Sequence, residues 1–205
     1  MRKQKLLYIL PIFLFATILF ASDFTAEDEN KAQTTSEDFD KESNNKNFDK
    51  MMDVLTHQRC VNCHPSDGFP KQGEDSHPHY FGMARGEGNM GFQATNCNTC
   101  HQKENNDFSG VPGAPHWSLA PESMRWEGLS RREIAESMLD KKRNGGRSHH
   151  DVMEHLTEHE LVLWAWTPGI NADGIPREVP PVPKEEYIKI VKEWFEDGAI
   201  IPEDQ

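Results

Sequence analysis

Every cysteine of this chain lies in one of two short, matching segments. Residues 60–64 read CVNCH and residues 97–101 read CNTCH. A Cys-x-x-Cys-His sequence is typical of c-type haem attachment, in which the two thiols add to the haem vinyl groups as thioethers. The histidine that follows then lies under the iron as its proximal ligand. The spacing predicts two covalently attached haem c groups, with the attachment residues Cys60, Cys63, Cys97 and Cys100 and the iron ligands His64 and His101.

Two other uses of the cysteine pairs remain open. A pair of Cys-x-x-Cys segments could hold a four-cysteine zinc ion, and a single Cys-x-x-Cys pair could act as a thiol redox centre. Neither use explains why a histidine follows directly after both pairs. Haem attachment is therefore favoured over a zinc- or thiol-based binding module.

With two such motifs and no cysteine left over, the sequence resembles the dihaem c-type cytochromes. That resemblance implies a protein that carries electrons between redox partners. The segments PGAPHWSLAPESM and LVLWAWTPG are also similar, more weakly, to small dihaem cytochromes named as isoquinoline 1-oxidoreductase subunits. This second resemblance implies that the chain accepts electrons from an exported molybdenum-dependent oxidoreductase.

Each iron needs a ligand on its other face, and the loop after the first motif offers two histidines. The loop is rich in glycine and proline, which indicates an irregular segment that can wrap around a bound group. About 12 to 14 residues of extended chain are long enough to reach from one face of a haem to the other. His79 is the first candidate for this position, and His77 is the second.

A second distal ligand is expected from the C-terminal half of the chain. His155 lies on a helix whose apolar side faces inward, and a buried neutral imidazole is a natural iron ligand. Met124 follows His64 at a spacing that resembles the distal methionine of single-haem cytochromes. The distal assignments predicted here are His79 and His155, while Met124, His77 and His116 stay open.

The N-terminus predicts export. Basic residues precede a short apolar run from residue 6 to residue 21, which is typical of a secretory signal peptide, although an uncleaved membrane anchor is the alternative. An acidic, polar stretch follows and predicts a disordered linker. The predicted organisation is a signal peptide or anchor at 1–22, a linker at 23–47 and a dihaem domain at 48–205, in a periplasmic or otherwise exported protein.

The composition limits the possible partners, and helix-start patterns indicate the fold class. The chain has 22 Lys and Arg against 34 Asp and Glu, a formal net charge of −12, which argues against a nucleic-acid partner. Ser130 and Ser148 begin predicted helices with capping boxes, and the spacing of apolar residues predicts a last helix that ends near Gly198. We expect a mostly α, loop-rich, compact cytochrome c-like domain, in which the apolar segment 161–166 is buried.

Two functions from different classes follow from these features. The first is an electron carrier or an electron-accepting subunit with two six-coordinate haems, which is not itself an enzyme. The alternative is a haem enzyme, or a gas- or peroxide-binding protein, in which one haem is five-coordinate. The membrane is a partner only if the N-terminal segment is uncleaved.

Overall fold

The computed structural model describes residues 43–203, which lie within a single unit that spans residues 39–205. The predicted signal peptide and most of the predicted linker lie outside these residues. The described part is mostly helical, with irregular chain and four strands of two residues each. None of its helices is both long enough and apolar enough to cross a membrane.

Six helices follow one another along the described chain. Helix α1 covers residues 43–55, and the later ones are α2 (Gln58–Val61), α3 (Arg131–Leu139), α4 (His149–Glu158), α5 (Glu160–Leu163) and α6 (Lys184–Glu196). The strands form two separate antiparallel pairs, β1 (Lys71–Gln72) with β2 (His77–Pro78) and β3 (Gly91–Phe92) with β4 (Thr95–Asn96). Short 3-10 turns occur at Tyr80–Gly82, Glu87–Asn89, Cys97–Thr99 and Trp164–Trp166.

The hydrophobic core lies where α1, α3, α4 and α6 pack together. Apolar residues three and four positions apart give each of these helices one apolar side, and burial of that side stabilises the fold. The buried residues of α6 are the four apolar residues at helical spacing that predict this helix: Tyr187, Ile190, Val191 and Trp194. The fully buried side chains include Phe48, Met51, Met52 and Leu55 of α1, Ile134 and Met138 of α3, and Tyr187, Val191 and Trp194 of α6.

The predicted linker ends too late in the sequence. Residues 43–47 are helical rather than disordered, because amide side chains tie this end of α1 to the C-terminal end of α6. The Asn44 Nδ2 donates to the carbonyl of Ile200 at 3.4 Å, and the Asn47 Nδ2 donates to the Glu193 carboxylate at 3.2 Å. The folded domain therefore begins before residue 48.

The sequence predicts the starts of α3 and α4 more accurately than the end of α3. Ser130 and Ser148 both form the predicted capping boxes, with Glu133 and Asp151 respectively. Helix α3 ends at Leu139, before the segment Asn144-Gly145-Gly146, whose glycines are typical of a helix end. The segment 161–166 is buried only at Ala165, and its other side chains are half-buried, because part of it lines a cavity described below.

The core contact of α1 can be tested directly. Phe48 is fully buried and packs against Trp194. Replacing Phe48 by Ala removes this contact and leaves a cavity, so the free energy of unfolding should fall by ~3–5 kcal/mol. Urea unfolding followed by circular dichroism measures this change. The exposed neighbour Lys46→Ala is the control and should change stability by less than ~0.5 kcal/mol; a loss at Phe48→Ala as small as that would contradict this packing.

Candidate functional site

The first Cys-x-x-Cys-His motif lies at the end of a short, firmly held helix. His57 is the N-cap of α2, and its Nδ1 accepts a hydrogen bond from the backbone N–H of Arg59 at 3.2 Å. Arg59 is buried, donates to the carbonyl of Glu178 and forms an ion pair with Glu74. The backbone N–H groups of both Cys63 and His64 donate to the carbonyl of Cys60. These contacts fix the turn that carries the motif.

The ring of His64 is held on two sides. Its Nδ1 donates a hydrogen bond to the carbonyl of Met124 at 2.7 Å, since a carbonyl can only accept. The ring also stacks on Trp126, with 3.7 Å between ring centroids and 10° between planes. Trp126 is itself buried and donates from Nε1 to the Ser137 hydroxyl at 2.9 Å. This arrangement fixes the tautomer of His64 and leaves Nε2 as the nitrogen with a free lone pair.

The second motif repeats this arrangement with different partners. The His101 Nδ1 donates to the carbonyl of Pro112 at 2.7 Å. Its ring stacks on Trp117, with 4.3 Å between centroids and 6° between planes. Trp117 in turn meets the ring of Trp164 edge-on at 4.9 Å. His101 is thereby held in the same tautomer as the histidine of the first motif.

One stretch of chain supplies the anchors of both histidines. This connecting segment, residues 112–126, begins at the carbonyl that binds His101 and ends at the tryptophan that stacks on His64. Its middle is fixed by hydrogen bonds from the Leu119 N–H to the carbonyl of Asn89 and from the Ala120 N–H to the carbonyl of Cys63, both at 3.0 Å. Sequence reasoning missed this role, although the tryptophans near the two ends of the segment were a usable signal.

Burial keeps both motif histidines neutral. It lowers the pKa of His64 to about 4, with a smaller contribution from the nearby His155 and Arg85. Burial also lowers the pKa of His101, with the charges of His79 and Arg177 acting in the same direction. A neutral imidazole is the form that binds a metal. Both side chains therefore have the protonation state that an iron ligand needs at neutral pH.

His79 lies next to His101 of the second motif, rather than beside the first motif, whose haem its loop was expected to wrap. Their ring centroids are 5.9 Å apart and the ring planes meet at 75°. The His79 Nδ1 donates to the carbonyl of Tyr80 at 2.8 Å, and its Nε2 has no hydrogen-bond partner in the described part of the chain. Imidazole nitrogens bind metals at ~2.0–2.1 Å, which puts two rings on opposite sides of one ion roughly 6 Å apart. The spacing between the two rings fits a shared iron.

His77, only two residues away, is placed differently. Its Nδ1 hydrogen-bonds the Asp75 carboxylate at 2.6 Å, and its Nε2 lies 3.1 Å from the Gln72 side-chain amide. Both ring nitrogens are therefore occupied within the turn that joins β1 and β2. The side chain stabilises that turn and has no nitrogen left for a metal.

A cavity of about 230 Å³ lies beside the first motif. It is lined by Cys60, Cys63 and His64 on one side and by His155 on another. Burial lowers the pKa of His155 to about 4, with His159 and Arg147 adding to the effect, and the ring forms no hydrogen bond within the described chain. Leu161 and Val162 also line this cavity, which explains why segment 161–166 is not packed into the core.

Two candidates that the sequence left open, Met124 and His116, also line this cavity. The Met124 carbonyl binds the Nδ1 edge of His64, and its side chain is buried in the core. His116 is exposed at the cavity rim, with a positive φ of 61° and its ring 5.8 Å from that of His159.

The four cysteines are free thiols and differ in exposure. Cys60, Cys63 and Cys97 are half-buried, whereas Cys100 is exposed. Burial, followed by the neighbouring Cys63, raises the pKa of Cys60 to about 12, and burial raises that of Cys63 to about 11. Within residues 43–203, no group of three or more His, Cys, Asp or Glu side chains is arranged to hold a metal ion.

Comparisons with known proteins add no relative. No family model, curated protein or solved structure matches this chain. The functional argument therefore depends on the two motifs and on the geometry around them.

The thiol pKa values predict an order of alkylation in the haem-free protein. The thiolate is the reactive form, and at pH 8 a thiol with a pKa of about 12 is ionised in roughly one molecule in ten thousand. Iodoacetamide should modify the exposed Cys100 first and Cys60 last, and the rate at Cys60 should rise as the pH is raised toward 12. Peptide mass spectrometry measures each rate, with urea-unfolded protein as the control. Equal rates for Cys60 and Cys100 in the folded chain would contradict this burial.

Proposed function

We propose that this chain is an exported dihaem c-type cytochrome that carries electrons between redox partners. One observation carries the proposal: both Cys-x-x-Cys-His motifs end in a histidine that is fixed through Nδ1 and a stacked tryptophan while its Nε2 is free. Each bound haem would supply an iron that gains or loses one electron. The cysteines of each motif would hold the haem, and the histidine would bind its iron.

The second site has the better-defined pair of candidate iron ligands. His101 and His79 both direct their Nδ1 to a backbone carbonyl, and their spacing matches what one iron between them requires. A hydrogen-bond acceptor at the other ring nitrogen orients a metal-binding imidazole and raises its basicity. Ligation by two histidines, without the methionine that raises potentials, would give this haem a low potential.

At the first site, His64 and His155 line the same cavity and would be the two iron ligands. Both rings are buried and neutral, and His155 has no competing hydrogen bond in the described part of the chain. The hydrophobic walls of the cavity, among them Leu55, Leu119 and Leu156, would cover the flat faces of a haem and exclude water. Neither site then needs a position for a substrate, which is why we favour an electron carrier over a haem enzyme.

The partner would be a redox protein, with an exported oxidoreductase as the candidate class. The chain is strongly acidic, so a partner with a basic surface would be attracted by charge, and salt would weaken the encounter. Transfer would take place on the exported side of the membrane, whether or not the N-terminal segment is cleaved.

Carbon monoxide binding tests the ligand assignment. Carbon monoxide binds a reduced haem only where one axial position is open, so the wild-type protein should bind none. His79→Ala and His155→Ala should each open one position and bind one carbon monoxide per chain, which the reduced absorption spectrum measures. The controls are His77→Ala, whose ring nitrogens are already occupied, and the exposed His149→Ala; neither should bind the gas.

Two results would change the proposal. Carbon monoxide binding by the wild-type protein at one site per chain would favour the alternative of a haem enzyme or gas-binding protein. If both ligand variants stay six-coordinate, the assignment of His79 and His155 is wrong.

A further inference from the structure

The side chain of Asn105 connects three parts of the chain near the second motif. Its Oδ1 accepts hydrogen bonds from the Trp164 Nε1 at 2.9 Å and from the backbone N–H of Gly113 at 3.0 Å. Its Nδ2 donates to the carbonyl of Thr167 at 2.8 Å. A side-chain amide can form four such bonds, so this half-buried residue uses most of its capacity.

The bond to Gly113 reaches His101 through a single peptide group. The carbonyl of Pro112 and the N–H of Gly113 belong to the same planar peptide unit, which does not twist. The carbonyl accepts from His101, and the N–H donates to Asn105. Asn105 therefore fixes the orientation of the carbonyl on which the His101 ring is anchored.

The bond to Trp164 reaches the same ring by a second route. Trp164 meets Trp117 edge-on, and Trp117 stacks on His101. Because Asn105 holds the indole N–H of Trp164, it also holds the pair of rings that restrains the imidazole. The Asn105 Oδ1 therefore binds both groups that restrain His101, the Pro112–Gly113 peptide and the indole of Trp164.

The surroundings of Asn105 leave its side chain little freedom. A Cβ built on Gly169 would lie 3.0 Å from the Asn105 Cγ and Nδ2. A Cβ on Gly113 would lie 2.2 Å from the carbonyl of Glu104. Gly169 therefore allows the backbone to approach the Asn105 side chain closely, and Gly113 allows a close approach to the backbone of Glu104.

We propose that Asn105 is a positioning residue for His101 and sets the potential of the second haem. This inference rests on the proposed function. The hydrogen bonds from His101 to Pro112 and from Gly113 to Asn105 share one peptide group, and bonds in such a chain strengthen one another. A stronger acceptor at Nδ1 makes the imidazole more basic and favours the oxidised iron.

Potentiometric titration of the purified holoprotein tests this role. In Asn105→Ala the reduced fraction of the second haem should rise roughly tenfold relative to the oxidised fraction at a fixed potential, ~59 mV for one electron. The potential of the first haem should not change. A Cys97→Ala/Cys100→Ala variant, which lacks the second attachment site, identifies which haem has shifted.

Two further variants separate positioning from general damage to the loop. Trp164→Phe removes the indole N–H that Asn105 accepts and keeps an aromatic ring beside Trp117, so the second haem should shift in the same direction by a smaller amount. Asn106→Ala is the matched control: the Asn106 Oδ1 accepts from the backbone N–H groups of Phe108 and Ser109, and the substitution leaves its backbone bond to Val111 in place. It should leave both potentials unchanged, even if stability falls.

The outcomes distinguish this inference from the function on which it rests. A wild-type protein without covalent haem overturns the proposed function, and the inference with it. Two haems together with an unshifted Asn105→Ala overturn the inference alone. If Asn105→Ala loses the second haem, the other two variants decide. A shifted potential of the second haem in Trp164→Phe, with an unshifted one in Asn106→Ala, supports the positioning role. The same potential in both variants overturns it.

Discussion

An imidazole that donates its Nδ1–H to a backbone carbonyl has one tautomer and a fixed direction for its other nitrogen. The rest of this site depends on that interaction, which occurs at His64, at His101 and again at His79. Backbone carbonyls are suited to this purpose because they cannot titrate and move only with the chain. Burial also lowers the pKa of His64 and of His101, which favours an unprotonated Nε2 in these two rings.

The fold is arranged to hold two of those carbonyls. The connecting segment, residues 112–126, has little regular structure of its own. Neighbouring loops and the first motif fix it by backbone hydrogen bonds, and the His101 side chain of the second motif binds it at Pro112. Its C-terminal end reaches the helical core, where Ser137 of α3 binds the indole of Trp126. Its N-terminal end is held by Asn105. A stable helical core therefore transmits order to a region that is mostly loop.

Features that depend on particular side chains could be predicted from the sequence, whereas contacts formed by backbone groups could not. The Cys-x-x-Cys-His motifs, the capping boxes at Ser130 and Ser148 and the buried side of α6 are patterns of side chains, so they are visible without a structure. The anchors of His64 and His101 are backbone groups of Met124 and Pro112, which any residue could supply. For that reason Met124 attracted attention for its sulfur, whereas the structure uses its carbonyl.

Two other features, the different roles of His77 and His79 and the start of the folded domain, depend on contacts that the sequence does not reveal. His77 and His79 lie in similar sequence surroundings, but the tight turn between β1 and β2 engages only the first of them. The start of the domain was set too late because residues 43–47 are polar, and polarity alone does not reveal that two of their asparagines bond to the end of α6. Contacts between residues far apart in sequence account for both cases.

The central claim is that each motif holds one covalently attached haem. The most direct measurement is the intact mass of the chain, produced with and without a cytochrome c maturation system in the exported compartment and then denatured. We expect the matured chain to be heavier by the mass of two haem groups. A mass equal to that of the polypeptide alone, in a host that matures a reference cytochrome c, would contradict the claim.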